Sequence, residues 1–511
     1  MKKLLVILGI LVLLAGALSC GGEEPAPTPT KTAPAPTATV VPTATAAPEP
    51  FMGLDDVPTI TDKDPIFVVL QGNVGEGALA PFLQNFSDKT GVPVQYEEMI
   101  MSVLYPRVNV ELISGSGAYD VICIEASSTN EWARYLYSFQ EMAEQYDPAG
   151  VAGLDEDLKD RGLHPTIYRA CSDAQGNLMG LPYYTYQQCT FYREDVYTDP
   201  TEMANFRAQY GYDLAPPESW AEVHDQAEFF TREPGELLKG VPVTEKVYGI
   251  TLMAGRYEIN DEISVRLWSK GGDWATPVRD ASGKITEFVI TKKDKELLAE
   301  SLEEYIADLE FASPGCLTGF WDFCTAQIVA GLAIMDPHLY IPLDQWGYTV
   351  ETDIPGAVLS FDLSPGPIRG CGYVGTFNNG VVKTTKNPEA AYWLCRYLSS
   401  YEVQKGLIET GWSGIRMDVY DDPKYDAAEW QNLVAKRAEL CSETWDALEP
   451  LVDDIIHFNS DAMGKIYEQQ IIICHDCANG RITVEEAVRQ LTDTTIDLQN
   501  KFGTVPMREE T

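Results

Sequence analysis

The side chains able to do covalent or metal chemistry are numerous in this chain but never assembled. Its five histidines, His164, His224, His338, His457 and His475, are scattered, with no His-Glu-x-x-His to set two of them on one helix face. No Gly-x-Ser-x-Gly turn presents a nucleophile, and "GWSGI" at 411–415 falls short of one. Phosphate loops are absent. The one Gly-x-Gly-x-x-Gly string, Gly370–Gly375, runs into "TFNNGVV", which reads as strand or turn where a dinucleotide site needs a helix N-terminus. "CHDC" at 474–477 has the spacing of a thiol redox pair or half a zinc site. No second Cys/His pair completes it, and "YEQQIIICHDC" reads as an apolar helix, so a local staple or two buried thiols is the better reading. With 77 acidic residues, carboxylate pairs are too common to single one out. No catalytic set, cofactor motif or metal set emerges.

One cysteine stands apart. Lys2 and Lys3, the apolar run Leu4–Leu14 and the small residues after it make a secretory signal peptide over residues 1–19, too short to span a bilayer. "ALSC" resembles a bacterial lipoprotein box, with Ala17 where such boxes usually carry Leu. The resemblance implies cleavage before Cys20 and lipid on its thiol and amine. Residues 21–50 are mostly Pro, Thr and Ala, cannot bury enough apolar surface to fold, and give a spacer of up to about 90 Å. Residues 20–63 thus read as an anchored tether, the only link to a membrane.

The elements that must position any site begin after it. Residues 64 to about 505 are too many for one core and predict two domains. A net charge of −40 makes nucleic acid an unsuitable partner. Export places the other ten cysteines in an oxidising setting, where an even number fits disulfides, with Cys316/Cys324 and Cys474/Cys477 as candidates. Ile66–Leu70 reads as a strand, Leu79–Phe86 as an amphipathic helix stopped by Gly91, and Val92–Tyr96 as a strand. Val103–Ile113 reads as a helix ending at Gly115, and Tyr119–Ile124 as a third strand. This β-α-β-α-β order starts a doubly wound sheet. Ser219–Glu222 is a capping box, Asn387-Pro388 opens a later helix, and residues 426–503 are mostly helical in pattern.

Six ordered segments resemble the extracellular solute-binding proteins of ABC importers, in the carbohydrate group related to maltose-binding protein. They are "FLQNFSDKTGVPVQYEE" (82–98), "GAYDVICIEASSTNEWARYLYSFQEM" (117–142), "GNLMGLPYYTYQQCTFYREDVY" (176–197), "APPESWAEVHDQAEFFT" (215–231), "FCTAQIVAGLAIM" (323–335) and "VVKTTKNPEAAYWLCRYLSSYEVQ" (381–404). The resemblance implies an α/β, two-lobed periplasmic-binding-protein-like fold of type II, each lobe a mixed sheet flanked by helices, with the ligand cleft between lobes. It implies chain crossings near 185–188, 371 and 419. The N-terminal lobe would be 64–186 plus 372–419, and the C-terminal lobe 187–371 plus 420–506. It implies a monomer that captures a mono- or oligosaccharide and hands it to ABC permease subunits, held by lipid to the outer face of a bacterial cytoplasmic membrane, and doing no chemistry.

A sugar needs flat side chains for its apolar faces and short polar groups for its hydroxyls. The 26 tyrosines and ten tryptophans supply the former. At strand ends facing the implied cleft, the candidates are Gln71 and Asn73, Glu125 and Ser127, Tyr183 and Tyr184, Tyr257 and Asp261, Asp336, His338 and Tyr340, then Tyr373 and Trp412. Tyr183, Tyr184 and Tyr340 could equally pack between strand and helix, Asp261 could simply cap a helix, and His338 reads more readily as an interior hydrogen bonder. Trp268 and Trp321, inside helical patterns, read as core. Two rival functions stay open: a lipid-anchored glycosidase, which needs two carboxylates about 5–10 Å apart, and a binder of a peptide, polyamine or other non-sugar solute. Cysteines near the hinge, Cys171, Cys189 and Cys371, would oppose lobe closure if bridged.

Overall fold

A computed structural model describes residues 51–72, 78–340, 354–430, 434 and 436–511. β1 (Ile66–Gln71) and β3 (Val121–Glu125) are the apolar runs of the sequence, while the second strand, expected over Val92–Tyr96, forms as β2 (Val94–Met99), a polar, part-exposed strand beside β1. Between them lie helices Ala80–Thr90 and Met101–Ser114, each ended by a glycine in the left-handed region, Gly91 and Gly115. β1 pairs in parallel with both β2 and β3, the arrangement that alternating strands and helices predict.

Five further strands extend this sheet into a second lobe, and the short strands Leu237–Leu238 and Val241–Pro242 and the strands Thr276–Arg279, Ile285–Ile290 and Met507–Glu509 form two small separate sheets. The five are β4 (Leu181–Arg193), β5 (Tyr248–Ile250), β6 (Ala333–Tyr340), β7 (Leu359–Asp362) and β8 (Val374–Val381). Their order is β2-β1-β3-β8-β4-β6-β5, and β7 also pairs with β4. The long strand β4 joins the two halves. Gln187 pairs with Val374 of β8, whereas Gln188 pairs with Tyr340 of β6. One continuous strand therefore serves both lobes and changes partners at its middle. The chain returns between Asp362 and Val374, from β7 to β8.

Helices cover both halves. Helix Trp220–Phe230 buries Trp220, Val223, Ala227 and Phe230 as its spacing requires. Ser219 Oγ caps it by accepting the Glu222 N–H at 3.3 Å. The other half of the expected capping box is corrected: the Glu222 carboxylate accepts from the Glu218 N–H at 2.7 Å. Helix Lys436–Val452 lies against helix Pro165–Ala170 of the first lobe. Helix Met463–Ala478 touches both helix Ile259–Ser269 and the turn after β3. Asp157 anchors the first lobe, its buried carboxylate meeting Arg161 at 2.8 Å, Arg416 at 2.9 Å and Arg396 at 3.1 Å.

The expected disulfides are not formed. The ten cysteines from Cys123 to Cys477 are all free and buried, and several have other partners. Cys316 and Cys324 flank Thr251, whose Oγ1 lies 3.6 and 3.3 Å from their sulfurs. Cys171 donates to Asn378 Oδ1 at 2.9 Å, and Cys189 faces the Leu339 carbonyl at 3.8 Å. Cys474 and Cys477 share the buried side of one helix, held as thiols by burial. No bridge ties the lobes at the hinge. Among the described residues no helix is long and apolar enough to cross a membrane.

Candidate functional site

β3 is apolar and buried until its last residue, Glu125, where the chain enters a short 3-10 turn. Its carboxylate caps that turn. Oε2 accepts the Ser127 N–H at 2.9 Å and the Ser127 hydroxyl, while Oε1 accepts Tyr373 Oη at 3.1 Å and Tyr186 Oη at 3.5 Å. Burial raises the Glu125 pKa, and the four donors partly offset it. Tyr186 and Tyr373 come from neighbouring chain segments, since Tyr186 of β4 pairs with Gly375 of β8. A Cβ at position 375 would overlap the Tyr186 ring, so only glycine lets that ring lie across β8.

A second carboxylate faces this group from the other lobe. Asp261 sits in the first turn of helix Ile259–Ser269 and accepts the hydroxyls of Tyr340 and Tyr467. Burial pushes its pKa up to about 8. The Tyr186 and Tyr340 rings meet edge to face, with centroids 5.0 Å apart, so Glu125–Tyr186–Tyr340–Asp261 is a continuous polar and aromatic chain across the seam. Trp268, two turns beyond Asp261, stacks on Tyr373 at 5.9 Å and 18°. His457 stands edge-on to Trp268, Tyr373 and Tyr467, fully buried, and neither ring nitrogen has a partner. The Tyr257 carbonyl faces Tyr467 Oη at 3.5 Å. Carboxylates, phenols and flat rings so arranged can take hydroxyls or amines at the edge and an apolar face on the rings.

Six sequence candidates thus share one locale: Glu125, Ser127, Tyr257, Asp261, Tyr340 and Tyr373. Tyr184 lies alongside, 6.5 Å from Tyr186, stacked on Phe377 and edge-on to half-buried Trp412 at 5.6 Å. Tyr183 points to the opposite face of β4 and donates to Cys123 Sγ at 3.3 Å, inside the first lobe. Gln71 ends β1 with Oε1 enclosed and unpartnered. Asn73 and Cys20 lie outside the described residues. Asp336 and His338 are buried in the second lobe's interior. His338 stacks on Trp220 at 5.0 Å and accepts from Arg266 Nε at 3.3 Å, and Arg266 pairs with Asp308 at 2.7 Å. A register shift between Asp336 and Leu339 re-aims Tyr340 toward the seam while these two face inward.

Sequence reasoning missed Tyr186, Tyr467 and His457, and read Trp268 as core more readily than as a contact; it is buried and stacked on Tyr373. Tyr186 had a signal, the alternation of "YYTY" that puts it on the face of Tyr184. Tyr467 and His457 had none, because they arrive on C-terminal helices docked from far along the chain. The core reading of Trp321 is corrected: it opens its helix and is 42% exposed.

Two contacts cross the seam nearby: Lys465 pairs with Glu131, which also accepts Tyr105 Oη at 2.7 Å within the first lobe, and Asn130 Nδ2 donates to the Phe458 carbonyl at 2.7 Å. Among the described residues, two small surface hollows lie away from this group, one beside Val108, Leu112 and Tyr119 and the other beside Asp273 and Leu491. Among the described residues, His164, Asp446 and Glu449 are grouped closely enough for a metal. The tautomer argues against one. His164 Nδ1 accepts the Thr166 N–H at 3.2 Å, so a neutral ring carries its proton on Nε2 and donates to Asp446 at 3.1 Å.

A family model described as bacterial extracellular solute-binding protein matches residues 71–405. No curated protein matches the chain. Solved structures do. The maltose-bound MalE3 of T. maritima superposes with a TM-score of 0.62 at 20% identity, covering 85% of this chain and 99% of its own. An ABC transporter solute-binding protein of Agrobacterium vitis S4 with bound D-mannitol gives 0.61 at 17% identity, covering 86% and 100%. One from Thermotoga lettingae bound to α-D-tagatose gives 0.60 at 16%, covering 85% and 99%.

Proposed function

We propose, from the premise that the chain belongs to the bacterial extracellular solute-binding protein family, that it captures a carbohydrate between its two lobes and delivers it to an ABC permease. The observation that carries this is the polar and aromatic chain from Glu125 to Asp261, which joins the lobes through Tyr186 and Tyr340 with Trp268 stacked on Tyr373 behind it. Carboxylate acceptors suit sugar hydroxyls and the rings suit its C–H faces. Maltose, mannitol and tagatose in proteins of the same fold are consistent with that chemistry.

Closure is a hinge motion about β4 and the 363–373 connection, with the lobes divided as 64–186 plus 372–419 and 187–371 plus 420–506. Free cysteines leave that motion unopposed. The Glu131–Lys465 and Asn130–Phe458 contacts belong to the closed form. Lipid on Cys20 and the Pro/Thr tract would keep the binder beside its permease, as a monomer on the outer face of the membrane.

The test is a thermal-shift screen of the full chain against sugars, polyols, peptides, polyamines and metal ions. A ligand at 100 times its Kd adds about 2.7 kcal/mol of stability. A shift with a sugar recovered unchanged supports the reading. Recovery of a cleaved sugar makes the protein a glycosidase, and a shift with peptides alone removes the carbohydrate.

A further inference from the structure

We propose that the solute carries a positive charge, an amine-bearing sugar whose ammonium sits between Glu125 and Asp261. This rests on the carbohydrate reading and narrows it. The argument is the placing of two buried acids on one run of tyrosines across the seam. Some buried acids of the fold are answered by cations, as Asp157 is by Arg161, Arg396 and Arg416 and Asp308 by Arg266, while Glu262, Asp294 and Asp336 take neutral donors inside one lobe. Glu125 and Asp261 are only 6% and 4% exposed, yet every hydrogen bond given to them comes from a neutral donor. Among the described residues, neither has an ion pair. Glu258, also buried, adds to the same side and takes only the Trp321 N–H at 2.8 Å.

In the free protein burial favours the protonated form of both acids, for which neutral hydroxyls suffice as partners. An ammonium lets them release their protons to solvent and pair as carboxylates, with charge-assisted bonds stronger than neutral ones. Tyr186 and Tyr373 bond to Glu125 and Tyr340 and Tyr467 to Asp261, and with Trp268 these rings offer π faces that attract a cation. A second observation points the same way. His457 is buried against three of those rings with both nitrogens unpartnered, and burial holds it neutral, so it offers a ligand an acceptor instead of a competing charge. The buried Arg437 is directed elsewhere, toward the Trp412 carbonyl at 3.4 Å.

The experiment is calorimetric titration of the full chain with glucosamine oligomers of one to four units, with their N-acetylated counterparts and with putrescine. Acetylation keeps the ring and deletes the charge. The free-amine sugars are expected to bind about tenfold or more tighter than acetylated sugars of the same length. Glu125→Gln is expected to remove most of that preference, and the wild-type comparison stands alone if the variant does not fold. Equal or tighter binding of the acetylated sugars overturns the charge and leaves the carbohydrate reading standing. Putrescine binding with no sugar bound upholds the charge and overturns the sugar. Binding of none overturns both.

Discussion

Asp261→Asn removes one ionisable group from the middle of the seam while keeping its size and an acceptor for a tyrosine hydroxyl. In the folded chain burial pushes the Asp261 pKa up to about 8, against 3.8 for the free group. Between those values the folded chain holds a proton that the unfolded chain has lost. The group's contribution to stability is therefore complete below the lower value and is lost as pH rises toward the upper one. The loss runs at about 1.4 kcal/mol per pH unit, or about 3 kcal/mol from pH 5 to pH 7. Glu262 and Asp273, both pushed up to about 7 by burial, act in the same direction, but they are common to wild type and variant and largely cancel in the difference. Urea unfolding of both proteins at the two pH values measures it. Wild type is expected to lose about 3 kcal/mol more than Asp261→Asn on going from pH 5 to pH 7. Equal losses would refute the reasoning, because Asp261 would then titrate alike in both states.

Other predictions follow from the same seam and its surroundings. Gly464→Ala would place a Cβ on Tyr105 Oη and Glu131 Oε2. It is expected to oppose closure and weaken solute binding by about 1–3 kcal/mol while circular dichroism stays native. Tyr373→Phe keeps the stack on Trp268 and deletes the hydroxyl given to Glu125, an expected cost of about 1.5–3 kcal/mol in urea unfolding or in binding. Asp157→Ala removes the carboxylate that Arg396 and Arg416 share, leaving Arg416 to Asp418 at 2.7 Å and Arg396 to Asp147 at 3.7 Å, and is expected to destabilise by about 1.5–3 kcal/mol, read by denaturant midpoint. A thiol reagent is expected to find none of the ten described cysteines in the native protein and all ten after unfolding, with no reductant needed.

The first lobe was largely legible because its signals are local. Gly91 and Gly115 stop their helices, the apolar runs form β1 and β3, and Asn387 caps its helix as read. Glu125 was legible for a physical reason, since a carboxylate ending a fully buried strand must find donors. Asp261 was read equally as cap or contact, and it lies in the first turn of its helix while both its oxygens face tyrosines. Tyr340 was separable from Asp336 and His338 only through the register shift in β6, which no spacing rule reveals. Tyr467 and His457 depend on where the C-terminal helices dock, a tertiary fact with no local trace. The disulfide expectation came from export and an even cysteine count. It failed because position decides pairing, and sulfurs such as Cys171 and Cys441 meet Asn378 and Gln187.

The most direct measurement is a crystal structure of the full chain with the best solute from the screen. The account predicts a sugar-sized density between Glu125 and Asp261, with ring atoms against Tyr373 or Trp268 and both carboxylates within hydrogen-bond distance. Density confined to the Tyr184–Trp412 side, or to the outer surface with the Glu125–Tyr186–Tyr340–Asp261 chain unchanged, would contradict it.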